Sequence, residues 1–304
     1  MNSIKISFII IAYNEEKTIN NCINGIISLE NIEKDEIEIV IVNDGSTDKT
    51  REVVEKLQKD LPQIKIINLD KNSGRGNARL IGLQKSVGDL IAFVDADIIL
   101  PRKWLTKLIP HLSENDAVGG IALPDSDIEY AFYKAKLPAK ATPATVGITG
   151  NNSLYKRDVF VKLTFNNKLQ QGEDVDLFWK MLDAGKKIKL DTDVIVEHRS
   201  NKNYAHSMKR MFEHGDGATH LLLKYKKMRL PDINFYIYLL LLILTIVTIP
   251  FRIYIFLILF LVYPFTTALI HIFTRFYIKK NISDITRFLY AGLVEYLFGL
   301  YPIY

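Results

Sequence analysis

A chain of 304 residues has room for one large domain or two smaller ones, and a net charge of +5 suits an anionic lipid surface or phosphorylated substrates without requiring nucleic acid. The single cysteine, Cys22, excludes an intramolecular disulfide and any cysteine-based metal site, and its apolar-periodic surroundings make it a small buried hydrophobe. Apolar residues are 48% of the chain but unevenly spread: the part up to about Lys227 reads as a soluble α/β protein and the rest as membrane.

Ile4 to Ala12 is a continuous apolar strand with no basic segment and cleavable apolar core before it, so no signal peptide is expected. Lys17 to Leu29 has helical periodicity. Glu36 to Asn43 predicts a second strand and Asp48 to Leu61 a second helix, with Ser46, Thr47 and Asp48 as N-cap candidates. Ile64 to Leu69 is a third strand, Arg75 to Ser86 a third helix and Leu90 to Val94 a fourth strand. Pro101 is expected to open a further helix. Strands alternating with helices predict an α/β fold whose mostly parallel sheet is covered on both faces.

From Phe235 the character changes. The stretches 235–251 and 253–274 are almost uncharged, and each approaches the roughly 20 residues needed to cross a bilayer. They predict a transmembrane hairpin, the alternative being a long buried hairpin of a soluble protein. Lys224, Lys226, Lys227 and Arg229 precede it and Arg275, Lys279 and Lys280 follow, while the turn offers only Arg252. The positive-inside rule then places the domain 1–228 in the cytoplasm and the region 229–304 in the cell membrane. Residues 285–304 read as an interfacial helix or a third span.

The chemistry-bearing residues fall at the carboxyl ends of the predicted strands, where α/β sheets bind ligands. The fourth strand runs into Asp95-Ala96-Asp97. Two carboxylates one residue apart can share a hard cation such as Mg²⁺ or Mn²⁺, which keeps part of its shell for substrate phosphates. A turn or helix cap is the alternative. The first strand ends in Tyr13-Asn14-Glu15-Glu16, where Asn14 can cap the next helix. The second ends in Asp44-Gly45, a carboxylate able to accept the imide N–H of a uracil-type base, or a plain turn. In Asn72-Ser-Gly74-Arg75-Gly76-Asn-Ala-Arg79, glycines at a helix start expose backbone N–H groups to phosphate, and Arg75 and Arg79 lie one turn apart.

In that order, these motifs resemble the family 2 glycosyltransferases of the GT-A fold, over roughly the first two hundred residues. The resemblance implies a nucleotide-sugar donor carrying uracil or guanine (UDP- or GDP-linked), a divalent metal, and transfer with inversion. Asp44 would then meet the base, Asp95 lie near the ribose and Asp97 bind the metal; Tyr13, Glu15, Gly74, Arg75 and Arg79 would line the donor site. Gly150-Asn151-Asn152-Ser153 resembles the family's strand beside the sugar, with Asn151 facing the donor. Inverting transfer needs a base for the acceptor proton, and the family's Glu-Asp pair matches Glu173-Asp174. Asp174 is the expected base, with Glu173 orienting a loop or substrate. His198 matches a further metal ligand, or is a strand-end histidine. Arg210 lies in a region that looks like the basic helix of non-processive members, facing a leaving diphosphate or a lipid phosphate.

The Gln-x-x-Arg-Trp motif of processive polysaccharide synthases is absent, so one sugar per reaction is expected. Membrane residence points to a lipid-linked acceptor: a polyprenyl-linked saccharide or, alternatively, a polyprenyl phosphate. A nucleotidyltransferase would carry a glycine- and basic-rich loop after its first strand, where this chain has Tyr-Asn-Glu-Glu. A catalytically silent scaffold should have lost part of the acid set, yet Asp44, Asp95, Asp97 and Asp174 are all present.

Overall fold

Strand β1, Ile6–Ala12, can lie at the centre of a sheet because both its faces are apolar. In the computed structural model, which describes residues 5–124, 148–199, 217, 219–226, 230–252, 254–263 and 266, it does so. The other strands are β2 (Ile37–Asn43), β3 (Ile64–Asn68), β4 (Leu90–Asp95), β5 (Ile98–Ile99), β6 (Ala117–Pro124), β7 (Asn152–Lys156) and β8 (Ile188–His198). Among the described residues they form one eight-stranded sheet in the order β3-β2-β1-β4-β7-β6-β8-β5.

Side chains alternate across the sheet, as the period of two requires. Phe8, Ile10, Ile39, Ile41, Ala92 and Val94 pack on one face, beneath helices α1 (Ile19–Ile27), α2 (Thr50–Asp60) and α4 (Trp104–Leu108). Ile9, Val40, Ile91 and Phe93 pack on the other, beneath α3 (Arg75–Lys85), α5 (Val159–Lys162) and α6 (Glu173–Asp183). In α1 the buried set Ile19, Cys22, Ile23 and Ile26 follows the 3.6-residue period. Each such fully buried Ile or Phe contributes about 1.5–3 kcal/mol relative to exposure.

The expected mostly parallel sheet holds for the first half, where β1 pairs in parallel with β2 and β4, and β2 with β3. The second half makes the sheet mixed: β7 runs antiparallel to β4 and β6, and β5 to β8. The reversal follows from β7, which crosses back between β4 and β6. Strand β6 has no counterpart among the predicted elements, because Gly119 and Gly120 interrupt its apolar pattern. Both glycines have a packing reason: a Cβ on Gly120 would lie 2.2 Å from the Val194 carbonyl oxygen, and one on Gly119 2.7 Å from Ile148.

Several expected ends shift. The N-cap of α2 is Lys49, although Asp48 still accepts the Thr50 N–H at 3.0 Å. The N-cap of α1 is Thr18 rather than Asn14. Helix α4 begins at Trp104, three residues after Pro101.

The chain divides into two compact units. The first comprises Met1–Asp125, Lys140–Lys202 and Glu213–Ala218 and contains the sheet; the second comprises Ser126–Ala139, Asn203–Phe212 and Thr219–Tyr304. In the second, a 19-residue helix, Leu230–Thr248, meets a 3₁₀ turn at Ile249–Phe251, and Arg252 turns the chain with φ 57°. Leu240, Ile243, Ile246, Val247, Phe251 and Ile258 are exposed. Among the described residues no helix is long and apolar enough to cross a membrane. Half of the second expected span and all of 285–304 lie outside the described residues.

Candidate active site

The chain leaves β1 to β2 and β3 on one side and crosses to β4 on the other, so the carboxyl ends of β1 and β4 border a switch-point crevice. The loops after β1 and β2 are tied together there. Asn14, in the left-handed region with φ 59°, accepts the Thr47 N–H at 2.8 Å and donates its own N–H to Ser46 Oγ at 3.0 Å. The Glu15 and Glu16 N–H groups donate to Thr50 Oγ1 and Asp48 Oδ2. Glu15 is buried and its carboxylate accepts Thr18 Oγ1 at 2.7 Å, whereas Tyr13 is exposed at the strand end.

Asp44 is buried at the tip of β2. Its Oδ1 accepts both the N–H and the Oγ–H of Ser73 at 2.7 Å, and its Oδ2 accepts the Gly74 N–H at 3.1 Å. A carboxylate has about four acceptor positions, so three bonds leave capacity for a ligand donor. Gly45 makes this approach possible: φ is +70° and a Cβ would sit 2.4 Å from the Lys71 carbonyl carbon. Gly45→Ala is expected to lower stability by about 1–3 kcal/mol, since positive φ and a backbone clash act together. Denaturant unfolding checks this, and an unchanged midpoint would refute the tight packing of these loops.

Arg79 differs from its expected place on the phosphates. It is only 2% exposed and lies between two carboxylates, with its Nη2 donating to Asp95 Oδ1 at 2.9 Å and its Nη1 to Glu173 Oε1. Arg75 is the outer arginine, 4.0 Å from Asp95 Oδ2 and partly exposed. Glu173 and Asp174 open α6, where acidic residues favour the helix dipole. Asp174 is part-exposed and its Oδ2 accepts the Gly150 N–H at 3.1 Å. Asn151 follows; its Oδ1 and the Thr149 Oγ1 are buried without hydrogen-bond partners among the described residues. Orphaned polar atoms cost about 1–3 kcal/mol each, so they mark a place where ligand hydroxyls can bind. Sequence reasoning passed over Asn152, which is fully buried and accepts the Trp104 indole N–H at 2.7 Å, fixing the strand behind Asn151.

Asp97 and His198 come together from opposite ends of the motif set. Strand β5 pairs with β8 so that Ile98 faces His198, and His198 Nε2 lies 3.0 Å from Asp97 Oδ2. The Arg199 N–H donates to the Asp97 carbonyl at 2.8 Å. Burial first, and then the charges of Asp97, Asp95 and Glu15, push the Cys22 thiol well above its ordinary range. Asp97, Asp95 and Glu15 thus lie close enough to act on Cys22, while Arg79 offsets the charge of Asp95. Among the described residues no three His, Cys, Asp or Glu side chains form a ready metal cluster. Arg210 lies outside the described residues.

The glycosyltransferase AglE of Haloferax volcanii is 27% identical over 225 residues, which cover 70% of this chain and 72% of AglE. A poly-beta-1,6-N-acetyl-D-glucosamine synthase of Staphylococcus epidermidis is 26% identical over 190 residues, 58% of this chain and 45% of the synthase. Among solved structures, the mannosyltransferase PcManGT of Pyrobaculum calidifontis, in complex with GDP-Man and Mn²⁺, superimposes with a TM-score of 0.57 at 17% identity, over 99% of this chain and 89% of that one. This likeness gives the fold, which is GT-A. The family described as Glycosyl transferase family 2 matches residues 7–164, more than half of the sequence, and the chain belongs to that family.

Proposed function

We propose that the chain is a membrane-anchored, inverting glycosyltransferase that moves one sugar from a UDP- or GDP-linked donor to a polyprenyl-linked saccharide. The observation that carries this reading is the Asp97–His198 contact, which joins residues 101 apart in sequence at the edge of the crevice. Asp97 and His198 would hold Mg²⁺ or Mn²⁺ together with oxygens of the donor diphosphate. Such an ion, when bound, neutralises charge on the departing nucleoside diphosphate. Asp44 receives a donor N–H of the base, and Arg75 adds charge beside Asp95. Thr149 and Asn151 offer buried polar atoms to the sugar. Asp174 is exposed enough to take a proton from an acceptor hydroxyl, whose oxygen attacks the anomeric carbon from the face opposite the diphosphate.

Exposed apolar side chains from Leu240 to Ile258 support an anchor, and the lysines and Arg229 before them support a cytoplasm-facing domain. An anchored enzyme gains most from an acceptor held in the same membrane. The missing Gln-x-x-Arg-Trp motif supports a single transfer.

Thermal unfolding of the detergent-solubilised protein with a panel of nucleoside diphosphates, with and without Mn²⁺, tests the reading. One nucleotide is expected to raise the melting point only with metal, by the equivalent of about 2.7 kcal/mol at a hundredfold excess over Kd. No shift with any nucleotide in a folded protein would overturn it.

A further inference from the structure

Arg79 makes contacts that reach beyond donor binding. Its guanidinium is buried among β4, α3, α6 and the loop before β7, with 3% of its side chain exposed. It pairs with Asp95, the last residue of β4, and with Glu173, the first residue of α6. Glu173 is itself 2% exposed, and its Oε2 has no hydrogen-bond partner among the described residues. The third wall of the guanidinium is Gly150, where a Cβ would lie 2.6 Å from Arg79 Cζ. The N–H of that same Gly150 donates to Asp174 Oδ2 at 3.1 Å. One planar cation thus touches the donor-side carboxylate, the residue before the base, and the backbone that holds the base.

We infer that Arg79 is a positioning residue, resting on the glycosyltransferase reading above: it fixes Asp174 relative to Asp95 through Glu173 and Gly150. The planarity of the guanidinium matters, because its fork meets two carboxylates in separate directions while its face lies flat against Gly150. A lysine ammonium supplies the charge as a point and cannot hold both partners in this geometry. The glycine is equally specific, since any side chain there would displace the guanidinium. Nothing in the arrangement places Arg79 on the donor, because its surface is covered by protein.

The inference predicts a separation of rate from binding. The measurement is metal-dependent hydrolysis of UDP-glucose, UDP-GlcNAc or GDP-mannose, whichever the full-length wild type turns over, with kcat and KM determined for Arg79→Lys, Glu173→Gln and Gly150→Ala. Arg79→Lys is expected to lower kcat by about 10²-fold, the cost of a misplacement near 1 Å, with donor KM changed less than about threefold. Gly150→Ala keeps the charge but moves the guanidinium, and should give the same split. The double variant Arg79→Lys/Glu173→Gln should be little slower than the slower single variant, because both act through one ion pair. A raised KM with unchanged kcat would make Arg79 a donor ligand, and multiplicative losses in the double variant would make the two residues independent; either overturns the inference and leaves the enzyme reading intact. If Arg79→Lys fails to fold, the kcat and KM of Gly150→Ala decide alone. A wild type that neither binds nor hydrolyses any of these donors overturns both readings together.

Discussion

Asp97→Asn is expected to reduce metal-dependent turnover of the donor by roughly 10³-fold, because an ion's charge stabilisation is worth several kcal/mol at about 1.36 kcal/mol per tenfold. The substitution keeps the shape of the side chain and can still hydrogen-bond His198, which lies 3.0 Å from Asp97 Oδ2. It removes one buried negative charge from a cluster that already contains Asp95 and Glu15. With the size of the side chain and a hydrogen bond to His198 both kept by the amide, the fold should persist. Calorimetric titration of Mn²⁺ in the presence of UDP or GDP provides a readout independent of turnover. Binding of the ion should weaken while the fold persists. Full turnover with unchanged Mn²⁺ affinity would remove Asp97 from the metal site.

The first half of the fold was legible because its signals are local. Short β-branched apolar runs such as Phe8 to Ala12 and Ile39 to Val42, each ending at a turn, read as strands buried on both faces. The motif residues Asp44, Asp95 and Asp97 stand at or just beyond the ends of β2 and β4, beside the crevice that strand order creates. What escaped depends on contacts between distant segments. Strand β6 was hidden by Gly119 and Gly120, chosen by the approach of Val194 and Ile148 rather than by strand propensity. Arg79 looked like a phosphate ligand because Arg75 and Arg79 share one helical face. The structure separates them: Arg75 lies outward, and Arg79 lies beneath, against Glu173 from 94 residues later. No periodicity encodes such a pairing. A buried charge needs partners, but the sequence alone does not say which ones.

Asp174→Asn separates the two kinds of acceptor. If the acceptor is a hydroxyl on a lipid-linked saccharide, its proton must leave as the oxygen attacks, and loss of the base is expected to cost about 10²–10⁴-fold in kcat. Donor KM should stay within about threefold, since a group acting only on the transition state leaves ground-state binding alone. Asp174 is part-exposed; its Oδ1 accepts the Val175 N–H and its Oδ2 the Gly150 N–H, so the single amide oxygen of Asn can keep one of these bonds while its NH2 meets the other donor. The split between kcat and donor KM, rather than an unchanged side-chain position, is therefore what identifies the base. If the acceptor is a polyprenyl phosphate, its oxygen is already ionised near neutral pH and needs no base, so the same substitution should cost tenfold or less by the logic of proton transfer. Transfer assays with a short-chain polyprenyl phosphate and with a polyprenyl diphosphate-linked sugar, run side by side on wild type and Asp174→Asn, read this directly. A large loss confined to the hydroxyl acceptor fixes Asp174 as the base. Weakened donor binding with kcat intact would instead make Asp174 a donor ligand and shift the search for the base to its neighbours.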